Sequence, residues 1–301
     1  MKSPLRIRHA LILAILMLVM SLLSTAPVLA QGTSLGHFDV KAFADKPVYW
    51  PIGVTFNGKN LWYSQPSTAS PDLFLVTPTG KLVRTLSITL PNTKGAIAWD
   101  GTDLWIASFA GESGSVTPQP FVFQVSTAGS GTLLKSLNLT AIFDVDQECG
   151  VIDGLAFDPS TGTLWVSPDV GCNFFASNIC SIGFAYNIDT NGNLIRKIQF
   201  PFGVSGVAVA NGNLYVADRC EPTSPTRGFG LIDKVDASGN VVSSFPIAQL
   251  DPKSWVEAIA FDPTTFGTCS IWAMQPYPVG RFTTQGSFEH ADVAAYGIPC
   301  S

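Results

Sequence analysis

The sequence predicts an all-β chain folded as a β-propeller of four-stranded blades, five in number, with six as the alternative count. Three observations predict it. A motif recurs five times along the chain, turn-forming pairs stand between the halves of each copy, and the composition favours strands and tight turns over helices. Only 13% of residues are charged, so the usual helix formers are scarce, while 27 Gly and 21 Pro mark a chain that turns often.

The first half of each motif reads small-apolar-small-aromatic, then a turn, then Leu-aromatic-apolar. The copies are Gly53–Phe56 with Leu61–Tyr63, Ala96–Trp99 with Leu104–Ile106, and Gly154–Phe157 with Leu164–Val166. Gly206–Val209 with Leu214–Val216 and Ala258–Phe261 with Ile271–Ala273 complete the set. Between the halves stand Asn57-Gly58, Asp100-Gly101, Asp158-Pro159, Asn211-Gly212 and Asp262-Pro263. Such pairs supply positive φ or fix a turn, so each copy opens with a hairpin. Gly80, Gly129, Gly192, Gly239 and Gly286 mark the turn of a second hairpin, which gives four antiparallel strands per repeat. A β-sandwich has no reason to repeat such a unit five times.

The positions agree with a ring of blades. The third residue of the first strand is Thr55, Ala98, Ala156, Ala208 or Ala260, small enough for strands that crowd about an axis. One strand further out stand Trp62, Trp105, Trp165, Tyr215 and Trp272, flat rings suited to the wedge between diverging blades. The segment Gly36–Phe43 alternates as a strand does, and the tail Asp292–Pro299 follows the last blade. The two termini are therefore expected on one blade, because an open ring leaves sheet edges bare.

Residues 1–30 have a different character. Lys2, Arg6 and Arg8 precede an apolar run from Ala10 to Leu23, and Val28-Leu29-Ala30 offers small residues for cleavage. The run is shorter than the roughly 20 residues of a spanning helix. A signal peptide over 1–30 and a single propeller over 31–301, secreted to the extracellular space or periplasm, are the expected organisation, with no membrane span after cleavage. Losing three basic residues takes the formal charge from −5 to −8, which leaves no basic stripe and excludes nucleic acid as an expected partner. Six cysteines in an exported chain read as up to three disulfides. The expected pairs are Cys172–Cys180, Cys149–Cys220 and Cys269–Cys300. None forms a CxxC pair, so a zinc cage is not expected.

Counting strands from the axis outward puts the starts of the first strands on the same face as the loops between second and third strands. The long insertions fall there, at Ala110–Pro120, Ala141–Val151, Pro168–Ser181, Asp218–Gly228 and Gln275–Gly280. Long loops on a rigid scaffold are where functional groups concentrate. The residues just before the first strands are Ile52, Gly95, Asp153, Ser205 and Glu257, two of them acidic. Trp50 and Trp255 stand on the same rim as platforms for a sugar or an apolar ligand, and Asp169 and Asp218 are further ligand-binding candidates in the loops.

The blades resemble those of the secreted NHL-type and senescence-marker/gluconolactonase-like propellers, over about Pro51 to His290. Gluconolactonase-like propellers hold a divalent cation at the start of their inner strands, and the resemblance implies Asp153 and Glu257 as ligands of Ca²⁺. Asp218, Asp169, or Asp144 and Asp146 are the candidates for further oxygen donors, because calcium takes six to eight. The other blades carry no third carboxylate or Asn at the equivalent place. Five-bladed glutamine cyclotransferases also resemble the chain in blade count, but their acidic residue before the first inner strand is replaced by Ile52. His37 and His290 lie in terminal segments, which argues against a channel histidine of the streptogramin-lyase kind. No Gly-x-Ser-x-Gly elbow or P-loop occurs. The expected function is an extracellular module that binds a ligand, carbohydrate or protein, through its long-loop face. The alternative is a divalent-metal-dependent, lactonase-like hydrolase at the channel mouth.

Overall fold

The computed structural model describes residues 30–40, 52–65, 72–91, 93–109, 120–143, 148–170, 182–218, 230–247, 256–278 and 288–300. Gln31–Ser301 form one compact unit of five four-stranded antiparallel sheets, a five-bladed propeller. Blade 1 holds β2 (Gly53–Phe56), β3 (Leu61–Ser64), β4 (Asp72–Val76) and β5 (Leu82–Ser87). Blade 2 holds β6 (Thr93–Trp99), β7 (Leu104–Phe109), β8 (Phe121–Ser126) and β9 (Thr132–Asn138). Blade 3 holds β10 (Glu148–Asp158), β11 (Thr163–Val170), β12 (Gly183–Ile188) and β13 (Leu194–Phe200). Blade 4 holds β14 (Val204–Ala210), β15 (Asn213–Asp218), β16 (Leu231–Val235) and β17 (Val241–Pro246).

The fifth blade is assembled from both ends of the chain. It runs β18 (Ala258–Asp262), β19 (Ser270–Pro278), β20 (Phe288–Gly297) and then β1 (Ser34–Asp39), the N-terminal strand, as its outermost member. Pairs such as Phe38 with Val293 and Asp39 with Asp292 place β1 antiparallel to β20. The termini thus meet on one blade, as the sequence predicts. One expectation is corrected here. Gly286 falls between β19 and β20, the second and third strands, because the fourth strand comes from the other end of the chain and needs no turn.

The turns follow the local chemistry. Asn211 and Gly212 both have positive φ, 51° and 73°, which is the twist that a two-residue hairpin requires. In blades 3 and 4 the outer turns are clamped by Asp189 and Asp236, which accept amide hydrogens and the Nδ2 donors of Asn193 and Asn240 at 2.8 and 3.0 Å. Hydrogen bonds from Asn193 and Asn240 hold these two carboxyls below the usual carboxylate range. Their contribution to stability is therefore present above the unfolded-state value and is lost as pH falls through the lowered folded-state value.

Among the described residues the buried core falls into five clusters, one for each junction between neighbouring blades. Ala96, Ala98 and Trp105 of blade 2 meet Leu155, Leu164 and Val166 of blade 3. Ala258, Ala260 and Trp272 of blade 5 meet Val54, Phe56, Leu61 and Tyr63 of blade 1, with Phe38 and Val40 beside them. The recurrent aromatic therefore fills the wedge, as expected, and the small first-strand residues admit the next blade. The approach is close. A Cβ on Gly206 would lie 2.9 Å from the Cα of Ala258, and one on Gly53 would lie 2.7 Å from the amide nitrogen of Ile97. Outer strands are joined as well: Arg84, Lys135 and Arg196 donate to the carbonyls of Thr127, Thr190 and Ala237, each in the next blade. Arg84 and Arg196 also lie over the rings of Trp62 and Trp165, at 5.5 and 4.9 Å.

Cys269 and Cys300 form a disulfide, with Cα atoms 5.1 Å apart, that ties the tail to the first hairpin of blade 5. The side chains of Cys149, Cys172, Cys180 and Cys220 lie outside the described residues. The bridge closes a loop of 31 residues, so a Cys269→Ser/Cys300→Ser variant is expected to lose about 2–4 kcal/mol in urea unfolding. Equal midpoints for the variant and the parent chain would show that the bridge contributes nothing.

Candidate functional site at the loop-face end of the channel

Of the residues proposed from sequence, Asp153, Asp218 and Glu257 are described with their side chains. Register puts the start of each inner strand beside the end of its blade's second strand: Lys94 opposite Ser108, Ile152 opposite Pro168, Val204 opposite Asp218. In these three blades one extra residue is inserted at that level, a β-bulge that breaks the ladder next to Gly95, Asp153 and Ser205. Bulges of this kind re-aim side chains and gather beside functional sites.

This end of the channel concentrates polar groups away from water. Asp153 and Glu257 are each 1% exposed, and Asp218 and Ser205 are fully buried. Ser205 donates its hydroxyl to the carbonyl of Val256 in the next blade, directly before Glu257, whose own amide donates to the carbonyl of Met274. Ser64 does the same between blades 1 and 2: it donates to the carbonyl of Gly95 at 2.6 Å and accepts the amide hydrogen of Gly53. The shell around the site is thus fixed by hydrogen bonds between blades.

Lys94 was not singled out from the sequence. It is 3% exposed, one residue before the bulge, where blades 3, 4 and 5 place Ile152, Val204 and Val256. Those three pack in the apolar junctions between blades. A lysine in such a slot replaces an apolar side chain by a charge whose burial costs several kcal/mol unless it is compensated. The signal was present in the repeat: one column reads Ile, Val and Val in three blades and Lys in a fourth. Gln65, just after the second strand of blade 1, and Gln275, within that of blade 5, are buried too. Gln275 donates from Nε2 to the hydroxyl of Tyr296 at 2.8 Å. Burial pushes that phenol up to about 12, with the Gln275 hydrogen bond working against the shift and the charge of Asp292 adding to it. Among the described residues, Gln275 Oε1 and Gln65 Nε2 have no hydrogen-bond partner. Buried orphans of this type are uncommon and ask for a reason.

Other candidates stand elsewhere. Asp169 belongs to β11, but its side chain lies outside the described residues, as do Asp144, Asp146, Trp50 and Trp255 entirely. Among the described residues no group of three or more His, Cys, Asp or Glu is placed to hold a metal ion. Asp153 and Glu257 offer at most four oxygens against the six to eight that calcium takes, so the pair does not by itself fit a calcium cage. His37, on β1, lies 3.2 Å from Asp292, in the outer part of blade 5. No helix among the described residues is long and apolar enough to cross a membrane.

The sequence matches no family profile, and no curated protein matches it. Solved structures do share the fold. The glutaminyl cyclase of Myxococcus xanthus superposes with a TM-score of 0.53 at 12% identity, over 88% of this chain and 97% of that one. Both are propellers. The virginiamycin B lyase of Staphylococcus aureus matches at a TM-score of 0.42 and 12% identity, over 87% of this chain and 98% of that one. A nidogen/laminin complex contains a match at 0.41 and 12% identity, over 77% of this chain and 74% of that one. At 12% identity the likeness to the cyclase fixes the scaffold and not the chemistry.

Proposed function

We propose that this chain is an exported ligand-binding propeller that works through the loop-face end of its channel, and that its ligand carries a positive charge. One observation carries the reading: Lys94, Asp153, Asp218 and Glu257 are each buried at the level where inner strands start and second strands end, in four different blades. Packing alone would favour apolar residues there. Among the described residues the acidic groups at this level outnumber the basic ones, which favours a cationic guest, and the orphan amide atoms of Gln65 and Gln275 supply neutral recognition. Carbohydrate and protein ligands presenting an amine fall within this class. The Myxococcus enzyme acts on glutaminyl substrates by its name, but Ile52 replaces the acidic residue that the cyclotransferase resemblance requires in blade 1, so turnover of that kind is not proposed.

Calcium is the simplest cationic probe and separates this reading from the metal-dependent hydrolase. It would draw on Asp153 and Glu257 together with oxygens from outside the described residues. The chain from Gln31 onward is melted with calcium, with chelator, and with a panel of small primary amines and amino acids. A ligand at a hundred times its dissociation constant stabilises by about 2.7 kcal/mol. The expected result is a higher melting temperature with an amine-bearing probe, removed by Glu257→Gln. A rise with calcium alone transfers the site to the metal reading, and indifference to every probe rejects both. Export is checked separately: the intact mass of secreted material is expected to begin at Gln31.

A further inference from the structure

We propose that the opposite, turn-face end of the channel is a second binding site, for a compact organic cation of the quaternary ammonium type. A cavity of about 260 Å³ opens there, walled by all five inner strands. The fourth residue of each repeated motif lines it: Phe56, Trp99, Phe157, Val209 and Phe261. They stand at one level, because each pairs with the Leu or Ile that begins the second half of its motif, as Phe56 with Leu61, Trp99 with Leu104 and Phe157 with Leu164. Four of the five are aromatic. Trp99, Phe157 and Phe261 remain partly exposed, whereas the aromatics of the second strands, such as Trp105 and Trp272, are fully buried. The motif small-apolar-small-aromatic thus ends in a ring that faces the lumen as well as the core.

Acidic groups predominate beside the collar, with one exposed lysine, Lys59, next to the lining Gly58. Asp100 lines the cavity, and Asp158 and Asp262 immediately follow Phe157 and Phe261. Asp100 accepts from Trp105 Nε1 at 2.9 Å and Gln124 Nε2 at 3.0 Å, and from the amides of Thr102 and Asp103. Asp262 accepts from Trp272 Nε1 at 2.9 Å and from the amides of Thr264 and Thr265, and Asp158 accepts from Ser160. Every one of these donors is neutral. They fix the carboxylates in place without cancelling their charge, and among the described residues none of the three forms an ion pair.

Aromatic faces are the negative part of the ring quadrupole, so a collar of four backed by three carboxylates attracts a cation that has shed its water. A quaternary ammonium sheds water readily, keeps an apolar surface and needs no hydrogen-bond acceptor. The size fits: an apolar cavity of about 150 Å³ already admits benzene. A neutral guest would satisfy the rings but forgo the carboxylates.

The test is calorimetric titration with choline and with its neutral isostere 3,3-dimethylbutan-1-ol. Choline is expected to bind at least about tenfold more tightly than the alcohol. Phe157→Leu and Trp99→Leu keep apolar bulk but remove a ring face, and each is expected to weaken choline severalfold, with little effect on the alcohol. Melting curves of both variants confirm that they fold. Glu257→Gln is expected to leave choline binding intact, which separates this site from the one at the loop face. Equal affinity for choline and alcohol, no choline binding, or choline binding indifferent to both ring substitutions would each overturn the proposal.

Discussion

Removing Gln31–Ala44 is expected to lower the stability of the propeller by about 5 kcal/mol, the combined cost of two buried side chains and a lost strand. The strand removed, β1, is the outermost of blade 5 and reaches it from the far end of the chain. Its hydrogen bonds cover the edge of β20, and without it that edge faces solvent as a template for aggregation. Phe38 and Val40 are 6% and 0% exposed and pack at the junction of blades 5 and 1, against Trp272 and Val54. Phe38 also meets Trp272 ring to ring, with centroids 6.0 Å apart. In a chain of this size the shift in melting temperature is roughly 10 °C or more. An unchanged melting temperature would mean that the ring does not depend on its clasp.

The second large effect is at Trp272. This side chain is fully buried at the same junction, and Trp272→Ala is expected to cost about 3–5 kcal/mol. The finer comparison is with phenylalanine. Trp272 donates Nε1 to Asp262, which is itself fully buried, whereas Trp62 Nε1 has no partner among the described residues. Trp272→Phe therefore strands a buried carboxylate oxygen, at about 1–3 kcal/mol, while Trp62→Phe removes an indole whose donor was already orphaned. Urea unfolding of the two variants checks this. Equal costs would show that the Asp262 bond contributes nothing.

That Asp–Trp bond illustrates what the sequence conveyed and what it did not. Asp100 and Asp262 were legible as turn residues, and Trp105 and Trp272 as wedge fillers. Their mutual bond was not, because it depends on the indole lying back over its own hairpin. Blade count and ring closure could be read because every copy repeats the same chemistry at the same positions. Gly286 misled for a related reason. Thr283–Ser287 aligns with Thr77–Lys81 without a gap, yet topology gives blade 5 a fourth strand from the N-terminus. Asp153 and Glu257 were found as the acidic members of a column, but their burial was not foreseen, since a residue preceding a strand is ordinarily solvated. Lys94 was missed because it stands one residue earlier, in a column that the other blades fill with apolar side chains. The aromatic collar was in view throughout. Its residues were given no role, because periodicity cannot tell a ring that faces a lumen from one that faces a neighbouring blade.

The central claim is that the buried charges at the loop-face end are held there for a ligand and not for the fold. The most direct measurement is the urea-unfolding free energy of Glu257→Gln, without ligand, against the parent chain. Groups held for a ligand are tolerated at a stability cost, so replacing the buried Glu257 carboxyl by an amide is expected to leave stability unchanged or raise it by about 1 kcal/mol. An ion cluster that holds the blades together predicts the opposite. Breaking it would strand a buried partner and cost about 3–5 kcal/mol, and that result would contradict the account.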